Sequence, residues 1–436
     1  ASVIGRWFKA GWLWGVYPAI GQPEQVKAQL ERLAQLNITA LVKPDPELEY
    51  LFKHIITREV AYASLASATR TTLHALVGGY IERTYSQTLD QYLDLLAYHY
   101  GLSGLAEKQK EYFRRAGEAA QAAFSNMAAI EYYQRLLALL AGPEKIEVQF
   151  KLGRVQELIG NWNGAEALYL DNLKLAQKTG QRLAEARALN AIGKVAEKRG
   201  VYASAQQLYK VGLDISRELN DRQAITNSLH NLGNVAYLQR DYRAAQALYQ
   251  QSLALSRQTG NRRAMIHALG NLGNVVSKQR QYPAARELYE QSLALSREIG
   301  DKQGVAHALF SLGNITSKQG DFTSARALYQ ESLGLYRVMG DKQGIAHSLS
   351  NLGNVALKQG ELAAARAFLE ESLTLNREMG NRRGIAASLY NLGNVASRQG
   401  EIEAARTFYE ESLSFRREMG QRQADNQSLS GLTGLA

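Results

Sequence analysis

Cysteine is absent from the chain. That excludes disulfides, thiolate metal sites and cysteine nucleophiles, and it fits a reducing compartment, so a cytoplasmic location is expected. Proline is scarce, with 6 in 436 residues. No apolar run reaches the roughly 18 residues of a membrane span, and the opening residues lack the regions of a signal peptide, so neither membrane nor secretion is supported. Catalytic motifs are missing too. There is no phosphate loop, because the Gly193-Lys194 pair is followed by Val. There is no H-E-x-x-H and no G-x-S-x-G, and the carboxylates are scattered. No catalytic residue, cofactor or metal is assigned, and an enzyme is not expected.

What the chain does contain is regularity. Its 37 glycines fall largely at fixed intervals. A Leu-Gly or Ile-Gly pair recurs at 152, 192, 232, 272, 312, 352 and 392, seven copies 40 residues apart without a slip. A strict period of this kind marks a solenoid. Within one copy, Met265, Ala268, Leu269, Leu272 and Val276 follow the i, i+3, i+4, i+7 pattern of a helix, and Ala285, Leu288, Tyr289, Ser292 and Ile299 describe a second. Each repeat is therefore expected to be a helical hairpin. Gly260-Asn261, Gly300-Asp301, Gly340-Asp341 and Gly380-Asn381 read as left-handed glycines followed by N-caps. Arg240-Asp241, Gly320-Asp321 and Gly360-Glu361 mark the turns inside hairpins. Small residues recur where helices must approach closely: Gly233, Gly273, Gly313, Gly353 and Gly393 on the first helix, Ala245, Ala285, Ala325, Ala365 and Ala405 on the second.

These residues, L-G in the first helix, G-D-[FY] at the turn and A-x-x-x-[YF]-x-x-S-L in the second, resemble the tetratricopeptide repeat over residues 144–436. A period of 40, against the family's usual ~34, resembles the long LGN variety of Pins-type scaffolds, kinesin light chains and bacterial signalling ATPases. The resemblance implies a mainly α fold, a right-handed α-solenoid whose first helices line a groove for proteins or peptides.

The stretch NLGNV at 231–235 poses the sharper question, because Asn is roughly 0.6 kcal/mol worse than Ala inside a helix. A second stripe opposite the apolar one holds His267, Asn271, Asn274 and Lys278, then His307, Ser311, Asn314 and Lys318, then His347, Asn351, Asn354 and Lys358. Asn can bond both N–H and C=O of an extended peptide whatever its sequence, and the cations would attract acidic groups. The family's groove positions map by resemblance onto Asn234, Asn274, Asn314, Asn354 and Asn394, with Asn231, Asn271, Asn351 and Asn391 one turn earlier; Arg398 continues the basic row. Arg154 and Lys194 replace the asparagine in the first two repeats. The alternative is structural, with each Asn bonding a neighbouring helix. Adjacent first helices about 10 Å apart do not bring the histidines together on a metal.

Residues 1–143 lack the period. NITALV (37–42) and LEYLFK (48–53) read as strands joined by the turn KPDPE, with HIITREVAYASL (54–65) and ATRTTLHALVGGYIE (68–82) helical. A winged-helix-like unit with a short β-hairpin and connecting helices is expected over 1–85, degenerate repeat-like helices over 86–143, and seven repeats plus a truncated last helix over 144–436. The run from LEYLFK to GGYIE, with LLAYHY and AIEYY, resembles the junction after the nucleotide-binding domain of STAND-type regulatory ATPases, some of which carry a cyclase or other effector. On that resemblance ASVIGRWF forms a first helix, and His54, Arg58 and Glu59 are candidates for the contact with a missing ATPase domain of the same chain, the other reading being exposed helix positions. The chain would then be a fragment whose repeats sense an acidic or extended peptide or protein. A passive scaffold for assembly or self-association is the other reading. Residues 1–143 hold 14 Lys+Arg against 13 Asp+Glu, leaving 37 against 28, or +9 of the total +10, to the repeats. No nucleic-acid partner is expected from so neutral a winged unit.

Overall fold

The period of 40 has a simple origin: two helices of 17 residues, each followed by a three-residue break. The computed structural model describes residues 1–44, 48–419, 429–430 and 432–434. By its contacts the chain divides into two units, Ala1–Arg199 and Gly200–Ala436.

The second unit is an α-solenoid. It contains α11 (Tyr202–Glu218), α12 (Arg222–Leu238), α13 (Tyr242–Thr259), α14 (Arg262–Lys278), α15 (Tyr282–Glu298), α16 (Lys302–Lys318), α17 (Phe322–Met339), α18 (Lys342–Gln359), α19 (Leu362–Glu378), α20 (Arg382–Arg398) and α21 (Ile402–Glu418). The helices pack in chain order, so every hairpin is flanked by its sequence neighbours. The breaks follow the expected chemistry. Gly260, Gly300, Gly340 and Gly380 are left-handed, at φ 63–68°. Asn261, Asp301, Asp341 and Asn381 each accept the N–H three residues on with a side-chain oxygen. Asp241 and Asp321 cap α13 and α17 in the same way, whereas Glu361 makes no side-chain cap. Arg240 and Arg280 are also left-handed, at φ 65° and 63°, where other repeats place Gly.

Small side chains set the helix separation. Ala245, Ala285, Ala325, Ala365 and Ala405 are fully buried. The serine of the S-L pair donates to a carbonyl of the preceding first helix, as in Ser332 to Ala306 (2.9 Å), Ser372 to Ala346 (2.9 Å) and Ser412 to Ala386 (2.8 Å). On the outer surface, cations pair with carboxylates one repeat further on: Arg297–Glu331, Arg337–Glu371 and Arg377–Glu411 at 2.7–3.1 Å, and Arg326–Glu361 at 2.7 Å. Exposed pairs contribute about 0–1 kcal/mol each, so they tune a stack that burial holds together.

The first unit comprises α1 (Ala10–Val16), α2 (Pro23–Gln35), α3 (Ile55–Ala63), α4 (Ser67–Thr84), α5 (Leu93–Gly101), α6 (Ala106–Ala122), α7 (Asn126–Leu139), α8 (Glu144–Leu158), α9 (Trp162–Lys178) and α10 (Arg182–Lys198). It also holds a sheet of β1 (Trp7–Lys9), β2 (Thr39–Lys43) and β3 (Glu49–Phe52). The strand order is β1-β3-β2, antiparallel throughout. The expected hairpin is β2–β3; the tip of its KPDPE turn, Asp45 to Glu47, lies outside the described residues. The opening ASVIGRWF is not the expected helix. It is a turn that runs into β1, because Trp7 pairs with Leu51 and Phe8 buries its ring against Tyr50 and Phe52, partners too distant in sequence for a local pattern to reveal. His54 and Glu59 are exposed, while Arg58 donates to the Ser2 carbonyl at 3.0 Å.

Deep in this unit His74 of α4 and His99 of α5 are fully buried, with their Nδ1 atoms 2.9 Å apart and Tyr62 on His74 Nε2. Burial, then the charges of Arg58 and Arg70, pulls His74 down to about 4; burial, then His74, pulls His99 down to about 3.

Two outcomes follow from these features. Arg280→Gly relieves a left-handed conformation that costs an L-residue about 1–2 kcal/mol, less the entropy Gly loses on folding, so thermal unfolding should show a net gain of about 0.5–1 kcal/mol. Both histidine pKa values lie below the ordinary 6.5, so the unfolded chain takes up more protons as pH falls and stability should drop between about 6.5 and 4. Melting curves across that range check it, and His74→Phe should flatten the dependence.

Candidate functional site

The asparagines sit beside the tightest contact of each hairpin. A Cβ built on Gly233, Gly273, Gly313 or Gly393 would lie 2.5–2.7 Å from the ring of Tyr249, Tyr289, Tyr329 or Tyr409, 16 residues on. The tyrosine thus lies directly on the glycine backbone, 2–3% exposed, and its hydroxyl needs a partner. Asn supplies it one residue after the glycine. Tyr249 donates to Asn234 Oδ1 (2.7 Å), Tyr289 to Asn274 (2.7 Å), Tyr329 to Asn314 (2.8 Å) and Tyr409 to Asn394 (2.8 Å). Burial raises the phenol pKa values of Tyr289, Tyr329 and Tyr409. In the first unit, where the Asn position holds Arg154, Tyr169 turns to Glu157 instead, at 3.0 Å. Residue 369 is Leu, seated on Gly353, so Asn354 has no tyrosine.

The earlier asparagines are linked to this set. Asn271 donates to Asn234 Oδ1 (3.2 Å) and Asn351 to Asn314 Oδ1 (2.9 Å). The carboxamide N–H groups of Asn234, Asn274, Asn314 and Asn394 have no partner among the described residues, and these side chains are half-buried on one face. A row of donors, one per repeat, therefore remains available beside a structural use of the same side chains.

Two cavities open on this face. The larger, about 760 Å³, brings together His230, Asn234, His267, Asn271, His307 and His347, with the cap residues Asp301 and Asp341 and with Arg263. The second, about 550 Å³, brings together Asn354, Asn391, Asn394, Lys318, Lys358 and Arg398. Asn231, Asn274, Asn314, Asn351 and Lys278 line neither cavity. Burial, then His267, pulls His230 down to about 4 and also lowers His307; His347 is lowered by desolvation against the pull of Asp341. At neutral pH these imidazoles are uncharged hydrogen-bonding groups. Desolvation, then repulsion from Lys278, lowers Lys318. Arg398 reaches the Leu357 carbonyl at 3.0 Å. Among the described residues no three His, Cys, Asp or Glu side chains form a metal-binding group.

One feature beside these asparagines is not visible in a single repeat. The residue two before the Leu-Gly pair is His230, Phe310 and Tyr390 in alternate repeats, each ring 5.7–5.8 Å from the hairpin's tyrosine, and Gly270 and Ser350 between them. The signal is a period of two repeats, which a pattern of one repeat does not display.

Tetratricopeptide-repeat family models match residues 144–218, 185–258, 223–298, 262–337 and 344–418, more than half of the chain, which therefore belongs to that family. No curated protein matches the sequence. Among solved structures, a signal-transduction ATPase with numerous domains carrying a tetratricopeptide repeat sensor, PH0952 from Pyrococcus horikoshii, is 14% identical with TM-score 0.56; the alignment covers 99% of this chain and 64% of that one. The apo quorum sensor NprR from B. thuringiensis is 15% identical with TM-score 0.56, covering 83% and 99%. A Rap protein complexed with competence and sporulation factor is 11% identical with TM-score 0.50, covering 75% and 98%. At these identities the likeness is one of fold.

The bonding scheme predicts a stability effect. Asn394→Ala strands the Tyr409 hydroxyl and should destabilise by about 1–3 kcal/mol, whereas Asn394→Ala combined with Tyr409→Phe removes both partners and should recover most of it. Chemical denaturation of the three variants measures this coupling.

Proposed function

We propose that the repeats bind an extended peptide or protein segment along the asparagine face. The observation that carries this reading is the row of carboxamide N–H groups at Asn234, Asn274, Asn314 and Asn394 without a partner among the described residues, of which Asn234 lines the cavity of about 760 Å³ and Asn394 that of about 550 Å³. Donors at a fixed interval suit peptide carbonyls, which every sequence presents, while the imidazoles of one cavity and the cations of the other would set side-chain preference. The fold neighbours, a tetratricopeptide repeat sensor, a quorum sensor and a Rap protein in complex with competence and sporulation factor, lend support by analogy.

The finer reading is that the chain is the sensor arm of a larger signal-transduction ATPase. Its support is the alignment of the Pyrococcus horikoshii protein over 99% of this chain, including the non-repeating residues. The order β1-β3-β2 with α1 and α2 between β1 and β2 suits a winged-helix-like unit over 1–85, followed by degenerate repeats over 86–143. Gly117 against Tyr133 repeats the 16-residue glycine–tyrosine spacing of the regular hairpins. In this reading, ligand on the repeats would act on a nucleotide-binding domain of the same protein. A phosphate-loop domain encoded ahead of residue 1 would support it, and another kind of domain there would favour the scaffold.

Asn→Asp at 274, 314 and 394 keeps the oxygen that each tyrosine needs and removes the N–H donors. The triple variant should melt near the wild type yet fail to retain partners that the wild-type chain retains from its native extract. Equal retention by both would sink the groove reading.

A further inference from the structure

Tryptophan is rare in this chain, and three of its four copies fall at 7, 12 and 14. Trp12 and Trp14 of α1 line a cavity of about 470 Å³ in the first unit, together with Tyr80 of α4 and Tyr85 just after it. That volume falls in the range of about 300–1,000 Å³ usual for small-molecule sites. The rings are held in place by the fold. Trp12 is buried and donates its indole N–H to the Tyr85 hydroxyl at 3.1 Å. It meets Tyr80 edge-on at 5.9 Å, and Tyr85 is stacked on Tyr92 at 4.3 Å. Tyr80 also lies over Gly15, where a Cβ would occupy ring space, and Trp14 packs half-buried on the same core. The aromatic wall therefore stands before anything binds, which suits a flat ring system.

The polar side chains of the lining are mostly donors. Lys9 and Lys27 are half-buried cations, whereas the carboxylate of Glu24 is exposed. The Tyr85 hydroxyl accepts from Trp12 and has no acceptor for its own proton among the described residues. Lys9 also meets Glu49 at 3.7 Å, in a partly exposed pair that an entering anion can share. Two lysines repel a cation, and a carboxylate supplies the acceptors that these side chains largely lack.

We infer that this cavity binds a planar aromatic acid, with its ring system against Trp12, Trp14, Tyr80 and Tyr85 and its carboxylate beside Lys9 and Lys27. The site uses no residue of the asparagine face, so it stands independently of the peptide reading. It gives the first unit a small-molecule input of its own.

Isothermal titration calorimetry of the full chain with 2-naphthoate, the neutral 2-naphthylmethanol and the cationic 2-naphthylmethylammonium tests this. The acid should bind about fivefold tighter than the alcohol, and the ammonium should bind weakest. Lys9→Gln combined with Lys27→Gln should abolish the preference for the acid while leaving affinity for the alcohol unchanged. Trp14→Leu keeps apolar cover but removes a ring, and should weaken both acid and alcohol about fivefold. If Trp14→Leu does not fold, the lysine pair carries the test. Failure of 2-naphthoate to bind, equal affinity for acid and alcohol, or a preference that survives in the lysine variant would overturn the inference. So would tighter binding of the ammonium, or unchanged affinity in a folded Trp14→Leu chain.

Discussion

A tyrosine ring, replaced once by Leu369, resting on a glycine backbone is the contact on which each regular hairpin depends. The ring spans the gap between first and second helix, and a methyl group at Gly233, Gly273, Gly313 or Gly393 would occupy ring space. Two consequences follow. The helices approach closely enough for the fully buried alanines and the serine-to-carbonyl bonds to form. The phenol hydroxyl emerges at the edge of the core, where it must be bonded, and the residue after the glycine lies within reach.

That geometry explains why asparagine persists where alanine would make a better helix. A loss of roughly 0.6 kcal/mol in propensity is offset by satisfying a buried hydroxyl. Glutamine reaches differently from the same helix face; Tyr133, for example, donates to Gln121, twelve residues back rather than fifteen. The carboxamide also has a second end. At Asn234, Asn274, Asn314 and Asn394 its N–H groups have no partner among the described residues, so one residue type both secures the hairpin and leaves a donor over. The ligand and structural uses of the asparagine column, posed as alternatives on sequence grounds, do not exclude each other, because the tyrosine uses only the oxygen end of the amide.

Legibility differed by the range of the interaction involved. The helix positions, the left-handed glycines at 260, 300, 340 and 380 and the caps at 261, 301, 341 and 381 depend on neighbours within four residues, and the sequence displays them directly. The glycine column was recognised as a packing position, but the tyrosine that fills it lies 16 residues away on another helix. Strand β1 escaped altogether, since Trp7 finds Leu51 across 44 residues and nothing in ASVIGRWF alternates strongly enough to suggest it. The basic excess of the repeats, a bare count in the sequence, includes many cations matched to carboxylates 34–36 residues on, as in Arg337–Glu371 and Lys342–Glu378.

By itself the sequence determined the repeating helical hairpin, its period and its membership of the tetratricopeptide-repeat family, because helix periodicity and capping are local and seven copies of one pattern reinforce each other. The tertiary structure decided which asparagines have spare bonding capacity. A carboxamide's availability depends on what its oxygen meets across the hairpin and in the next repeat, and a single change at a distant position, Leu369 for tyrosine, alters it at Asn354 while leaving the local motif intact. The gathering of Asn354, Asn391, Lys318, Lys358 and Arg398 around one cavity is likewise a product of stacking, since these residues come from three helices that are adjacent only once the hairpins are packed.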